Sequence, residues 1–136
     1  MNKRLLLAVG LDAETYATLT GIVNYSDWGI LPAPDDSHAL RLAVNHRPDL
    51  IVCYYKSNTM PGTSLPEQLA RAGVSDLPVV AVIDRALPNL VSRLRRIGCR
   101  GYVVRPVRSA ALKGTIERLA PAGPARERST LPFAHT

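Results

Sequence analysis

The stretch PDLIVCYYKSNTMPG, residues 48–62, decides the fold class. Its segment DLIVCY (49–54) is short, apolar and rich in β-branched residues, which predicts a strand buried on both faces of a parallel sheet. After the loop comes SLPE (64–67), with Ser three residues before Glu and a proline between them, the pattern of a capping box at a helix start. The stretch therefore predicts a strand, a loop and a helix in that order.

The same alternation runs along the chain. Further strands are predicted at 5–9, 28–33, 77–83 and 101–104, and helices at 12–24, 37–47, 64–73, 86–98 and 108–120. Asp12 and Ser37 are the expected N-caps of the first two helices, and Gly98 is expected to end the fourth. Five strand–helix pairs with short connections predict a doubly wound (βα)5 α/β sandwich of three layers around a five-stranded parallel sheet.

Length and composition predict one soluble globular domain at 1–120, since 46% of the 136 residues are hydrophobic and 21% are charged. From Pro121 the sequence PAGPARERSTLPFAHT has no periodicity, which predicts a disordered tail or linker at 121–136. No apolar run reaches the ~18–20 residues of a membrane span. The start, MNKRLLLAVG, lacks a signal-peptide cleavage site, so it is interpreted as a first strand and the protein as cytoplasmic.

Residue types that carry chemistry are sparse. Cys53 and Cys99 lie in apolar context without metal-ligand spacing, which favours free buried thiols over a metal site or a disulfide. His38, His46 and His135 fall away from the predicted strand ends, and no Gly-rich phosphate loop is present. We therefore expect no enzyme activity, no metal and no cofactor.

Three segments, in this order and spacing, resemble the receiver (CheY-like) domain of bacterial response regulators over about residues 3–120: PDLIV…MPG, LPVVAVI and GCRGYVVRPV. The resemblance implies a flavodoxin/CheY-like fold and a phosphorylation site at the carboxyl ends of the strands. In receivers an aspartate ending the third strand accepts a phosphoryl group from a histidine kinase. An acidic pair holds Mg²⁺, while a Ser/Thr hydroxyl and a lysine stabilise the phosphoryl oxygens.

These roles fall on unsuitable residues in this chain. The acceptor position falls on Tyr54, the hydroxyl position on Ile83 and the lysine position on Arg105. The acidic pair falls on Val9 and Gly10 or, one residue later, on Gly10 and Leu11. Tyrosine cannot form an acyl phosphate, and arginine keeps the charge of lysine with a different geometry. The resemblance therefore implies a degenerate pseudo-receiver, which lacks the phosphoacceptor aspartate and the acidic metal-binding pair.

Other acids do not restore the site. Asp49 begins the third strand, roughly 16 Å from Tyr54 at the opposite end of the sheet. Helix capping is the simpler role for Asp12. Asp84 follows the fourth strand and either pairs with Arg105 in the emptied pocket or faces solvent. We expect Tyr54 and Tyr55 to fill that pocket, while the alternative is a ligand-sensing pocket, including Asn58, for a small anion or metabolite.

The resemblance also implies that the fourth helix, fifth strand and fifth helix form an output and dimerisation face. Its candidate interaction residues are Arg93, Arg95, Arg96, Arg100, Tyr102, Arg108, Lys113 and Arg118. Leu90, Leu94 and Ile97 share one stripe of the fourth helix and are expected to be buried. Tyr102 is expected to be fixed, either in the core or in an interface. The arginines form either a solvated surface or a docking surface for an acidic partner or a second copy of the chain.

These expectations combine into a phosphorylation-independent signalling module that acts by protein–protein contact or as a homodimer. Such a module is the regulatory domain of a response regulator or transcriptional regulator, with a fused or partner DNA-binding effector. The net charge of +6 leaves nucleic-acid contact open. Direct binding is disfavoured because only 5% of the residues are aromatic and no helix-turn-helix pattern occurs.

Overall fold

The computed structural model describes residues 4–23, 28–56, 64–74 and 76–119. Its strands are β1 (Arg4–Val9), β2 (Trp28–Ala33), β3 (Leu50–Tyr54), β4 (Val79–Ile83) and β5 (Gly101–Val104). Its helices are α1 (Ala13–Val23), α2 (Asp36–His46), α3 (Leu65–Arg71), α4 (Pro88–Ile97) and α5 (Ser109–Leu119). The predicted elements are all present, within a few residues of their expected ends. Asn58, the MPG segment and the predicted tail at 121–136 lie outside the described residues.

The strands form one parallel sheet in the order β2-β1-β3-β4-β5. From β1 the chain moves outward to β2, then returns past β1 to β3 and continues to β5. The direction of winding therefore reverses between β1 and β3, which makes this the topological switch point of the sheet. The predicted doubly wound α/β fold is confirmed.

Apolar side chains project from both faces of the sheet, because successive residues of a strand point to opposite sides. One face packs on α1 and α5. Its residues Leu6, Val52 and Val82 are buried in one cluster with Leu19 of α1 and Leu112 of α5. The other face packs on α2, α3 and α4, in two clusters. Within the second of these clusters Leu90 and Leu94 are buried and Ile97 is partly buried, so the predicted stripe of α4 is confirmed.

Three of the four predicted helix-end residues occupy the expected positions. The Asp12 carboxylate accepts a hydrogen bond from the Thr15 backbone N–H at 3.1 Å, which caps α1. Gly98 ends α4 with φ +111°, a conformation that glycine adopts without a Cβ penalty. Ser64 is the N-cap residue of α3, but its hydroxyl donates to the Glu67 carboxylate at 2.6 Å and makes no bond to the helix backbone.

The predicted cap of α2 is wrong. The helix begins at Asp36, and Asp35, not Ser37, is its N-cap residue. Asp35 has an extended backbone, and its carboxylate accepts from the His38 N–H at 2.9 Å. Because a carboxylate accepts more strongly than a hydroxyl and interacts favourably with the helix dipole, the aspartate takes the capping position.

Cys53 is buried and Cys99 is partly buried, and both are free thiols, as predicted. Within the described residues, every helix is too short or too polar to cross a lipid bilayer.

Candidate functional site

The carboxyl ends of β1, β3, β4 and β5 lie along one edge of the sheet. Val9 pairs with Cys53, Tyr54 with Val82, and Ile83 with Val104. Gly10 follows β1, Asp84 follows β4 and Arg105 follows β5. The six residues assigned by the sequence to the degenerate pocket therefore come from the strand ends at this edge, where open parallel sheets bind ligands.

Arg105 is the centre of this edge. Its Nε donates to Asp84 Oδ1 at 2.7 Å, its Nη2 also contacts Asp84, and its Nη1 lies 3.1 Å from Asp12 Oδ1. The guanidinium carbon is 4.8 Å from the ring centroid of Tyr54, within the range of a cation–π contact. The Tyr54 hydroxyl donates to Asp84 Oδ2 at 2.7 Å. We call Asp12, Tyr54, Asp84 and Arg105 the arginine cluster.

Hydrogen bonds and charges in the cluster favour the ionised carboxylates. The pKa of Asp84 is lowered by the Tyr54 hydroxyl and by Arg105. The pKa of Asp12 is lowered to about 2, chiefly because the Thr15 hydroxyl donates to it at 2.6 Å, with a smaller effect of Arg105. The pKa of Arg105 is raised by Asp84 and then by Asp12. At neutral pH one guanidinium is thus held between two carboxylates.

The cluster is open to water, so its strength is modest. Side-chain exposure is 33% for Arg105, 31% for Asp12 and 55% for Asp84. Ion pairs this exposed typically contribute ~0–1 kcal/mol each. The geometric effect is more important, because Arg105 connects the residue before α1 to the segments that lead into α4 and α5. The arginine cluster therefore links three loops at this edge of the sheet.

A magnesium ion, which an active receiver requires, does not fit these residues. Mg²⁺ needs hard oxygen ligands in near-octahedral geometry. Val9 is 1% exposed and apolar, Gly10 has no side chain, and the carboxylates of Asp12 and Asp84 face the Arg105 guanidinium. Among residues 4–23, 28–56, 64–74 and 76–119, no three His, Cys, Asp or Glu side chains are grouped as a metal site.

Tyr54 and Ile83, at the two other positions that the resemblance assigns, differ in burial and in contacts. The pKa of the Tyr54 phenol is raised, mainly by its hydrogen bond to Asp84, so the phenol is a poorer nucleophile at neutral pH. Ile83 is fully buried and packs with Tyr55, Leu90 and Leu94 beneath α4. The side chain at the hydroxyl position therefore belongs to the core.

The two tyrosines lie in different places, which corrects one expectation. Tyr54 is half-buried in the arginine cluster, whereas Tyr55 is 8% exposed and packs in the core under α4. The reason is the alternation of the chain at the end of β3, which sends neighbouring side chains to opposite sides. Tyr54 alone of the pair occupies the candidate site.

The three aspartates near the strands take the roles predicted from the sequence, and one of them has an additional contact. Asp84 pairs with Arg105, which was one of its two predicted alternatives. Asp49 accepts from the Leu5 N–H at 2.8 Å, at the amino end of the sheet. Asp12 caps α1 as predicted but also reaches Arg105, a second role that the sequence reasoning did not assign. Its position at the sheet edge was the available signal.

The face formed by α4, β5 and α5 is strongly basic. Its exposed basic residues are Arg93, Arg95, Arg96, Arg100, Arg108, Lys113 and Arg118. Tyr102 is 39% exposed, so its predicted core alternative is wrong and it lies on the surface. A groove of about 450 Å³ runs between α4 and α5 above β5, and its lining includes Val91, Arg95, Arg100, Tyr102 and Arg118. We call it the basic groove.

The lowered pKa of Asp12 predicts how stability depends on pH. Because the folded-state pKa of about 2 lies below the ordinary 3.8, the ionised Asp12 stabilises the fold above pH 3.8, and this contribution is lost as pH falls toward 2. We expect Thr15→Val to raise the Asp12 pKa and to be less stable than the unmodified protein at pH 6, with a smaller difference at pH 2.5. NMR titration of the Asp12 carboxyl and denaturation at both pH values measure this.

Thr18→Val is the matched control, since the Thr18 hydroxyl bonds the Glu14 carbonyl on the exposed side of the same helix. Its effect on stability should not change between the two pH values. An Asp12 titration midpoint that stays near 2 in Thr15→Val would show that the hydroxyl is not the main cause of the shift.

Comparisons with known proteins report on the fold. The sequence matches no protein-family model and no curated protein. The structure is similar to chemotaxis protein CheY4 of Vibrio cholerae, with a TM-score of 0.70 and 19% identity over 86% of this chain and 98% of that chain.

Two further solved structures are similar. A response regulator from Desulfuromonas acetoxidans has a TM-score of 0.74 and 21% identity over 86% of this chain and 95% of that one. The signal receiver domain of a putative LuxO repressor protein from Vibrio parahaemolyticus has a TM-score of 0.76 and 16% identity, covering 96% and 99%. The chain therefore shares the CheY-like α/β fold of response-regulator receiver domains.

Proposed function

We propose that the chain is a pseudo-receiver, a signalling module that acts through protein–protein contact and independently of phosphorylation. The arginine cluster carries this proposal, because it places a guanidinium and a phenol at the strand ends where an active receiver binds metal and phosphate. The chain uses the position for internal ion pairs, and the proposal therefore includes no phosphotransfer activity. In this proposal it serves as the regulatory domain of a response regulator or transcriptional regulator, with a fused or partner DNA-binding effector.

The structural effect of the arginine cluster supports this function. In an active receiver, phosphorylation changes the loops at this edge of the sheet and so changes the surface formed by the last strand and helices. Here Arg105 connects the same loops through Asp12 and Asp84 in the unmodified protein. These links between the loops support an output surface whose arrangement needs no phosphoryl group.

The alternative of a metabolite sensor has less support. The charge of Arg105, the expected anion ligand, is already balanced by two carboxylates. A second cavity, between β3, β4 and the start of α3, measures about 20 Å³ and is lined by Cys53, Tyr55 and Leu65 among others. That volume holds about one water molecule. These observations favour contact between protein surfaces over capture of a small molecule.

Incubation with acetyl phosphate and Mg²⁺ tests the proposal. We expect no mass increase of one phosphoryl group by intact-mass spectrometry, because the acceptor position holds Tyr54 and no magnesium site is formed by Asp12 and Asp84. An active receiver treated in parallel controls for the reagent. A stable, stoichiometric phosphorylated species would contradict phosphorylation independence. The contradiction would hold whether the phosphoryl group is lost in the Tyr54→Phe variant or maps to any other single residue.

A further inference from the structure

The sheet has two open edges, and they differ in charge. β5 belongs to the basic face, whereas β2 at the opposite edge has the sequence WGILPA and no charged residue. An edge strand presents unpaired backbone N–H and C=O groups, which another strand can bind. A strand that adds to β2 therefore meets no charged side chain of the edge strand itself.

The hydrogen bonds between β1 and β2 show which backbone groups of β2 point outward. The Gly10 N–H donates to the Ala33 carbonyl at 2.9 Å, so Ala33 directs its backbone groups toward β1. The N–H and C=O of one strand residue point to the same side, and that side alternates along the strand. Trp28, Ile30 and Pro32 therefore direct theirs away from the sheet, where no backbone group of the described residues binds them.

The proline at this edge restricts what can bind there. Pro32 has no N–H, so its outward side offers a carbonyl alone. Ile30 and Trp28 each offer an N–H and a carbonyl. A strand that pairs with β2 must therefore supply an N–H to the Pro32 carbonyl and must accept two N–H groups from the other outward residues.

A second copy of β2 matches this pattern when the two strands run antiparallel about a two-fold axis. With the two Ile30 residues opposite each other, each donates its N–H to the carbonyl of the other. Trp28 of each copy then lies opposite Pro32 of the other, and its N–H binds the proline carbonyl. About four hydrogen bonds join the two strands over the whole of residues 28–32.

The side chains of β2 also suit this contact. Trp28 and Ile30 lie in the cluster on the α1 side of the sheet, and Ile30 is only partly buried there. Leu31 is partly buried on the α2 side. In the antiparallel pair Gly29 lies opposite Leu31 of the other copy, so a residue without a side chain faces a large one. The joined sheet thus covers apolar surface of Ile30 and Leu31 that one copy leaves open.

Other partners have less support. A peptide of another protein can add to an edge strand, but its selection depends on pockets for alternate side chains, and none of the described pockets is lined by β2 residues. Two copies that met through the basic face would bring like charges together, which disfavours association. The uncharged β2 edge has no such repulsion.

We propose that two copies of this chain associate through the edge of β2, in an antiparallel two-fold contact centred on Ile30 that joins their sheets. The inference rests on the proposed function, because it names a second copy as a protein partner of the module. The contact lies at the edge of the sheet opposite β5.

Sedimentation equilibrium over roughly 1–300 µM tests this. We expect a concentration-dependent dimer, and amide hydrogen exchange should show that the Ile30 N–H becomes protected as the dimer forms. Ile30→Pro removes this outward N–H and should weaken the dimer at least about tenfold. Ile30→Val is the matched control, since it retains the N–H, and its dimer affinity should stay within about threefold.

Pro32→Thr makes the opposite change. Pro32 is exposed, and threonine supplies the missing outward N–H, which the Trp28 carbonyl of the other copy accepts. We expect the dimer to become about tenfold tighter, because the two-fold axis adds the bond twice. Circular dichroism verifies that each variant is folded, and the gain in Pro32→Thr tests the contact even if Ile30→Pro does not fold.

Two results would overturn the proposal. The first is a monomer throughout the concentration range for both the unmodified protein and Pro32→Thr. The second is a dimer that persists in Ile30→Pro but is lost in Tyr102→Ala, since Tyr102 is 39% exposed on β5 and the contact would then lie at the other edge. Acetyl phosphate labelling does not depend on dimerisation, so failure of the pseudo-receiver proposal is distinguishable from failure of the β2 contact.

Discussion

An Ile83→Thr variant, which places a hydroxyl where an active receiver has one, is expected to lose about 2–3 kcal/mol of unfolding free energy. Ile83 is fully buried and packs with Tyr55, Leu90 and Leu94. Threonine removes apolar volume from this cluster and introduces a hydroxyl that must find a partner within it. Urea denaturation followed by circular dichroism measures the change.

Ile83→Val is the matched control, because valine has nearly the shape of threonine without the hydroxyl. We expect it to lose only about 0.5–1.5 kcal/mol, so the difference between the two variants isolates the buried hydroxyl. If the threonine variant is as stable as the valine variant, the hydroxyl is satisfied and the core at this position tolerates the receiver residue. Neither variant should become phosphorylated, since Tyr54 remains at the acceptor position.

This result would show that the side chains near the strand ends depend on their present neighbours. Each unusual residue is packed or paired with another: Ile83 with Leu94 under α4, and Tyr54 with Asp84 and Arg105 at the surface. Restoring one receiver residue therefore removes a contact of the present structure without completing the phosphorylation site.

Sequence patterns predicted the strands and helices well because burial on both faces of a parallel sheet leaves runs of apolar residues. Runs such as VVAVI in β4 allow few other interpretations. Local competition between neighbouring caps was harder to predict. Asp35 and Ser37 both suit an N-cap, and in the structure the carboxylate of Asp35, the stronger acceptor, takes the position.

The candidate site was predictable in its location and only partly in its contacts. The topology brings the strand ends together, so the pairing of Asp84 with Arg105 could be anticipated as one alternative. The reach of Arg105 to Asp12 could not, because it depends on the side-chain direction of an arginine and on the angle at which α1 leaves the sheet. Tyr55 was misassigned because two adjacent tyrosines were treated as one feature.

Leu94→Ala is expected to have the largest effect of the proposed substitutions, a loss of about 3 kcal/mol of unfolding free energy. Leu94 is 2% exposed and lies on the buried stripe of α4, against the cluster that contains Ile83 and Tyr55. Truncation leaves a cavity between α4 and the sheet, which the rigid strands cannot fill by relaxing. Guanidinium denaturation measures the loss.

Val44→Ala controls for removal of an apolar side chain from a helix, since Val44 is 43% exposed on α2, and it should change stability by less than about 0.5 kcal/mol. Hydrogen exchange should show that Leu94→Ala loosens α4 more than α1, because the lost contacts are those that hold α4 to β4. A variant that retains full stability would show that α4 is held elsewhere and that its position does not depend on the buried stripe.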